Sequence, residues 1–210
     1  MREFVFKRGS AVWPEGETLW HVYATPDLRR DTALASLIEG CRSALTGLPL
    51  TMVDSAWLHV TAAQISNAVG RSTGEDELQA LKAELRSALR AIEPFTIMVG
   101  SCLSYHSGAI FDLSPDGDLN RLRDAVGDAI ERVRGPGARV YDPGVLHLTL
   151  GYATGDADSD EVQRRLRRVR PSHAPMAIES VWLLEVASDA DAKTITWTPP
   201  AADQELRLGA

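Results

Sequence analysis

Three landmarks recur in the same order in the two halves of this chain. That recurrence limits the possible folds more than any other feature. Pro26-Asp27 is answered by Pro115-Asp116, His59 by His147, and Asp76-Glu77-Leu78-Gln79 by Asp160-Glu161-Val162-Gln163, at nearly constant spacing. A repeat of this length implies one supersecondary unit used twice. The unit reads strand–helix–strand–helix–strand. It predicts an α+β, bilobal, internally duplicated fold, with pairing between distant strands.

The element pattern supports the two units. Residues 18–25 read as a strand closed by Pro26-Asp27, 31–46 as an amphipathic helix, and 57–65 as an alternating strand. Helical spacing returns at 75–92 through Leu78, Leu81, Leu85, Leu89 and Ile92, and 94–105 reads as a strand. The order then restarts. Residues 108–113 form a strand, and 118–133 a helix stopped by Gly135-Pro136-Gly137. Strands at 145–152, 176–187 and 193–198 follow, with a helix at 159–169 between the first two. The pseudo-repeats span about 18–105 and 108–198 of a single domain, 18–198. Residues 1–17 read as an N-terminal extension, and 199–210, after Pro199-Pro200, as a loose tail.

Each half carries one His-x-Thr triplet on a predicted strand: His59-Val60-Thr61 and His147-Leu148-Thr149. Side chains two apart on a strand share a face. Each triplet therefore sets an imidazole beside a hydroxyl, with the aliphatic middle residue turned to the other side. Five histidines in 210 residues would give roughly 0.3 such triplets by chance. Two, in matching places, call for a shared role. One neutral imidazole can take a proton from an attacking water while an imidazolium protonates the leaving oxygen. Histidine suits both tasks because its ordinary pKa lies near neutrality. The threonine hydroxyls can donate to non-bridging phosphate oxygens. The scheme requires no metal and no cofactor.

The sequence resembles the two-histidine (2H) phosphoesterase superfamily, which includes 2′,5′ RNA ligase-like proteins and cyclic nucleotide phosphodiesterases. The resemblance rests on Leu58-His-Val-Thr61, Leu146-His-Leu-Thr-Leu150 and the order of elements around them, over roughly 18–198. It implies two antiparallel sheets lining a central groove with helices outside. It also implies His59 and His147 as the catalytic acid–base pair, and Thr61 and Thr149 as phosphate-binding hydroxyls. Some relatives carry a tyrosine or arginine five positions past the second histidine, and Tyr152 stands there, equally readable as a strand-end aromatic. The first motif continues Ala62-Ala63-Gln64-Ile65, where many members have larger apolar or aromatic residues. The expected activity is hydrolysis of cyclic (2′,3′- or 1″,2″-) phosphodiesters of nucleotides or RNA ends. The alternatives are 2′,5′ RNA ligase-type end joining and a non-catalytic nucleotide- or RNA-binding module.

Composition narrows the partners. The net charge of −7 disfavours a long nucleic-acid footprint, so the expected partner is a small phosphodiester or an RNA terminus and not a DNA duplex. Cys41 and Cys102 have no metal-type spacing, and no apolar stretch approaches the ~20 residues of a membrane span. A cytoplasmic monomer is expected. The run Arg164, Arg165, Arg167, Arg168 and Arg170 reads as a solvated helix face in preference to an RNA contact. His21 reads as a strand histidine with a local partner, and His106 and His173 as turn and loop residues. The five tryptophans read mainly as core and sheet-edge residues.

Overall fold

The computed structural model describes residues 1–141 and 144–210. Twelve strands are described: β1 (Lys7–Arg8), β2 (Ala11–Val12), β3 (Thr18–Ala24), β4 (Leu50–Met52), β5 (Val60–Val69), β6 (Phe95–Tyr105), β7 (Gly108–Ser114), β8 (His147–Ala153), β9 (Ala174–Ile178), β10 (Ser180–Asp189), β11 (Thr194–Trp197) and β12 (Glu205–Arg207). The α-helices described are α1 (Thr32–Leu45), α2 (Glu75–Leu89), α3 (Asp116–Arg134) and α4 (Ser159–Leu166).

The helices form where the apolar spacing places them. Leu34, Leu37, Ile38, Cys41 and Leu45 make the buried stripe of α1, and Leu78, Leu81, Leu85 and Leu89 that of α2. Acidic first turns (Glu75–Glu77, Asp116 and Asp118, Asp160 and Glu161) and basic last turns match the helix dipoles of α2, α3 and α4. Gly135, at φ 76°, ends α3 with its N–H on the Glu131 carbonyl.

The main sheet runs β11-β10-β3-β5-β8-β7-β6-β9, with β12 added to β10 and β4 to β8, and every pairing is antiparallel. It consists of two half-sheets. β5 meets β8 through a single register pair, Val60 with Leu148. α2 and α3 back the β3–β5 side, and α1 and α4 back β6 and β9. The fold is therefore bilobal, and each lobe is completed by the other half of the chain. β6, from the first repeat, pairs in the second lobe, while β10, from the second repeat, pairs with β3 in the first.

That exchange breaks the single strand expected at 176–187. The chain divides at Glu179, β9 staying with β6 and β10 crossing to β3. The loose tail expected at 199–210 is not found. Asp203 pairs with the buried Lys82 at 2.5 Å, β12 joins β10, and Leu206 and Leu208 are buried. Residues 1–17 are also fixed. Phe6 and Trp13 enter the core, and β1 and β2 form a small hairpin. None of the described helices is long and apolar enough to cross a membrane.

Candidate active site

Val60 and Leu148, which join the lobes, are the middle residues of the two triplets, and both are buried. Antiparallel pairing at this point sets His59 toward Thr149 and Thr61 toward His147. All four side chains line one cavity of about 610 Å³. The two triplets, distant in the chain, thus share one groove.

Each imidazole is held in the same way. His59 Nδ1 lies 2.7 Å from the Trp57 carbonyl, and His147 Nδ1 lies 2.9 Å from the Val145 carbonyl, two residues upstream in both cases. A carbonyl can only accept, so Nδ1 carries the proton in each ring. In the neutral form this leaves the lone pair on Nε2.

The two environments differ. His59 is 5% exposed, stacked on Tyr23 at 4.0 Å and 16°, with Trp197 edge-on at 5.5 Å. Burial lowers its pKa to about 4. The hydrogen bond to Trp57 opposes this shift, and nearby His147 adds to it. His147 sits half-buried at the start of β8, with the exposed Tyr105 ring 6.5 Å away.

Both strands bulge directly after the threonine. Between β7 and β8 the register passes from Ile110↔Thr149 to Ala109↔Gly151, leaving Leu150 as the extra residue. Between β3 and β5 it passes from Tyr23↔Thr61 to Val22↔Ala63, leaving Ala62 extra. Each bulge reverses the alternation, so the residue five past each histidine turns back to the groove. Those residues are Gln64 and Tyr152, and both are buried and line the cavity. Gly108, across from Tyr152, cannot carry a side chain, since a Cβ there would lie 2.3 Å from the Gly151 carbonyl oxygen.

The threonines are each associated with a tyrosine. Burial raises the pKa of the Tyr23 phenol well above its ordinary value, and a hydrogen-bonding interaction with Thr61 partly offsets this. Tyr152 is raised for the same reason, with Thr149 opposing. The Tyr152 ring packs against Phe4 and Phe6, at 4.5 and 5.1 Å.

Tyr23, Gln64, residues 3–7 and Trp13 also line this cavity, and the sequence did not single them out for it. His21, two residues before Tyr23, lines it too, with its ring stacked on Trp13 at 5.4 Å and Nδ1 on the Leu19 carbonyl. The arginine run lies elsewhere: Arg165 pairs with Glu161, and Arg170 donates to the Arg167 and Val169 carbonyls. Among the described residues, no three His, Cys, Asp or Glu side chains converge in a set that could hold a metal ion.

The 2′-5′ RNA ligase superfamily model matches residues 31–190, a span that takes in both triplets. The chain belongs to the 2′-5′ RNA ligase superfamily. Solved structures agree on the fold of this superfamily member. TT0787 of Thermus thermophilus matches with a TM-score of 0.66 at 15% identity, over 91% of this chain and 98% of its own. LigT of E. coli, solved with 3′-AMP, matches with a TM-score of 0.62 at 14% identity, over 91% and 98%. ATU0111 of Agrobacterium tumefaciens, a protein of unknown function, matches with a TM-score of 0.51 at 15% identity, over 98% and 90%. No curated protein matches this superfamily member by sequence.

Proposed function

We propose that this protein hydrolyses cyclic phosphodiesters of nucleotides or RNA ends, with His59 as general base and His147 as general acid. The observation that carries this reading is the convergence of both triplets on one cavity through the Val60–Leu148 pair.

The difference between the two rings supports the roles. His59, lowered to about 4, is neutral at pH 7, and its free Nε2 can accept a proton from water. The water oxygen forms a bond to phosphorus as the bond from phosphorus to one ribose oxygen breaks. His147 transfers its Nε2 proton to that departing oxygen, and its partial exposure lets solvent return the proton. In-line displacement needs the base and the acid on opposite sides of phosphorus, which rings from two lobes can provide. Thr61 and Thr149 donate to the non-bridging oxygens, where charge is held in the transition state. Tyr152 belongs to the substrate-binding wall through its contact with Thr149. The nucleotide-type substrate is in keeping with LigT having been crystallised with 3′-AMP.

The test is a panel of 2′,3′-cyclic nucleotides, a 1″,2″-cyclic phosphate and 2′,5′-linked oligonucleotides, each assayed with purified protein in EDTA. Turnover of a cyclic phosphate is expected. Tight binding without turnover of any member would favour a nucleotide-binding module. Joining of RNA halves, without hydrolysis, would favour the ligase direction.

A further inference from the structure

We propose that residues 1–13 form a wall of the active site, and that Lys7 is a substrate-binding residue that meets the phosphate of a nucleotide-type ester. The inference rests on the phosphoesterase reading above and extends the site beyond the two triplets.

This N-terminal strap is built in. The Met1 amino group donates to the Ala157 carbonyl at 3.0 Å and to Ser159 Oγ at 2.7 Å, and the Phe4 amide donates to the Ala153 carbonyl at 2.9 Å. The two bulged motifs supply the remaining anchors. Gln64 Nε2 donates to the Lys7 carbonyl at 2.9 Å, while its Oε1 accepts from the Gly9 amide at 2.8 Å. Tyr152 packs on Phe4 and Phe6. The same backbone features that turn Gln64 and Tyr152 to the groove therefore fix the strap over it.

The charges around the cavity leave a task for this lysine. A phosphate monoanion entering a protein of net charge −7 needs a local cation. Among the described residues lining the cavity, Lys7 is the only lysine or arginine. The carboxylates there are Glu3, held by Lys193 at 2.8 Å, and Asp112. His59 is neutral at pH 7, and His147 gives up its Nε2 proton as the ester opens, so Lys7 is the cation that persists through the reaction. The Lys7 side chain is exposed and forms no ion pair among the described residues, while its backbone is fixed by Gln64. An ammonium on a flexible stem, anchored at its base, can follow a phosphate through the reaction.

The experiment compares wild type, Lys7→Met, Lys7→Arg and Gln64→Leu. Binding of 3′-AMP and of uncharged adenosine is measured by calorimetry, and KM and kcat for a 2′,3′-cyclic nucleotide by assay. Lys7→Met is expected to weaken 3′-AMP binding and raise KM by about 10-fold. Adenosine binding and kcat should change by less than about 3-fold, with Lys7→Arg restoring most of the affinity. Gln64→Leu, which frees the strap, should raise KM in the same direction. Lys7→Met binding 3′-AMP as tightly as wild type overturns the proposal and leaves the phosphoesterase reading standing. Loss of 3′-AMP affinity in Lys7→Met, in a protein that turns over no ester, supports Lys7 as an anion-binding residue and overturns the phosphoesterase reading. Wild type that neither binds 3′-AMP nor hydrolyses any ester overturns both.

Discussion

The His59 imidazole stacks face to face on the Tyr23 ring, with centroids 4.0 Å apart and planes 16° from parallel. An aromatic series continues behind this pair: His21 lies 5.0 Å from Tyr23, and Trp13 stacks on His21 at 5.4 Å. Packing of this kind removes water from His59 and disfavours its charged form. It gives the two otherwise equivalent histidines different environments.

The pH profile follows from that difference. With the His59 pKa lowered to about 4 by burial, kcat/KM should climb with pH through about 4 and have reached its plateau by pH 5.5. Initial rates between pH 3.5 and 7, in buffers of constant ionic strength, check this. An acid limb near pH 6.5 would contradict the assignment of His59 as the base.

Stability should also depend on pH. His21 and His59 have folded-state pKa values of about 3 and about 4, both below the unfolded 6.5. As pH falls, the unfolded chain takes up these protons first. Their contribution is therefore complete above about pH 6.5 and is lost as pH drops toward 4 and then 3. At about 1.4 kcal/mol per unit, the loss from pH 7 to pH 4 is on the order of several kcal/mol. Urea unfolding at pH 7, 5.5 and 4 measures it. His21→Phe, which keeps the stack on Trp13, should flatten the dependence.

The threonines should act on turnover more than on binding. Thr61→Val and Thr149→Val keep shape but remove a donor, and each is expected to lower kcat by about 10²-fold with little change in KM. Values of kcat within about twofold of wild type would remove the hydroxyls from the transition state.

The junction of the lobes should matter for stability and for turnover alike. Leu148 is fully buried beside Val60. Leu148→Ala should cost about 2–5 kcal/mol of stability, read by chemical denaturation. It should also lower kcat in the fraction that remains folded, because it loosens the spacing between the two triplets.

Much of this was legible in the sequence. The helices carry apolar stripes long enough to be read, and the two triplets stand at matching places. Other parts were hidden for physical reasons. β4 and β12 are three residues each, too short to show a period. The division at Glu179 depends on which partner each side of it finds, β6 or β3, and local spacing does not record that choice. The bulges at Ala62 and Leu150 shift the register between strands far apart in sequence, so simple alternation turns Gln64 and Tyr152 to the wrong face. The strap, with strands of two residues, reads as an extension until its contacts with Gln64 and Tyr152 are seen.

The most direct measurement is the rate of 2′,3′-cyclic nucleotide hydrolysis in EDTA by wild type, His59→Ala and His147→Ala, with 3′-AMP binding measured in parallel. Turnover by wild type and a loss of at least about 10²–10⁴-fold in each variant, with 3′-AMP still bound, is the predicted result. A variant lacking either imidazole that hydrolyses the substrate at the wild-type rate would contradict the account.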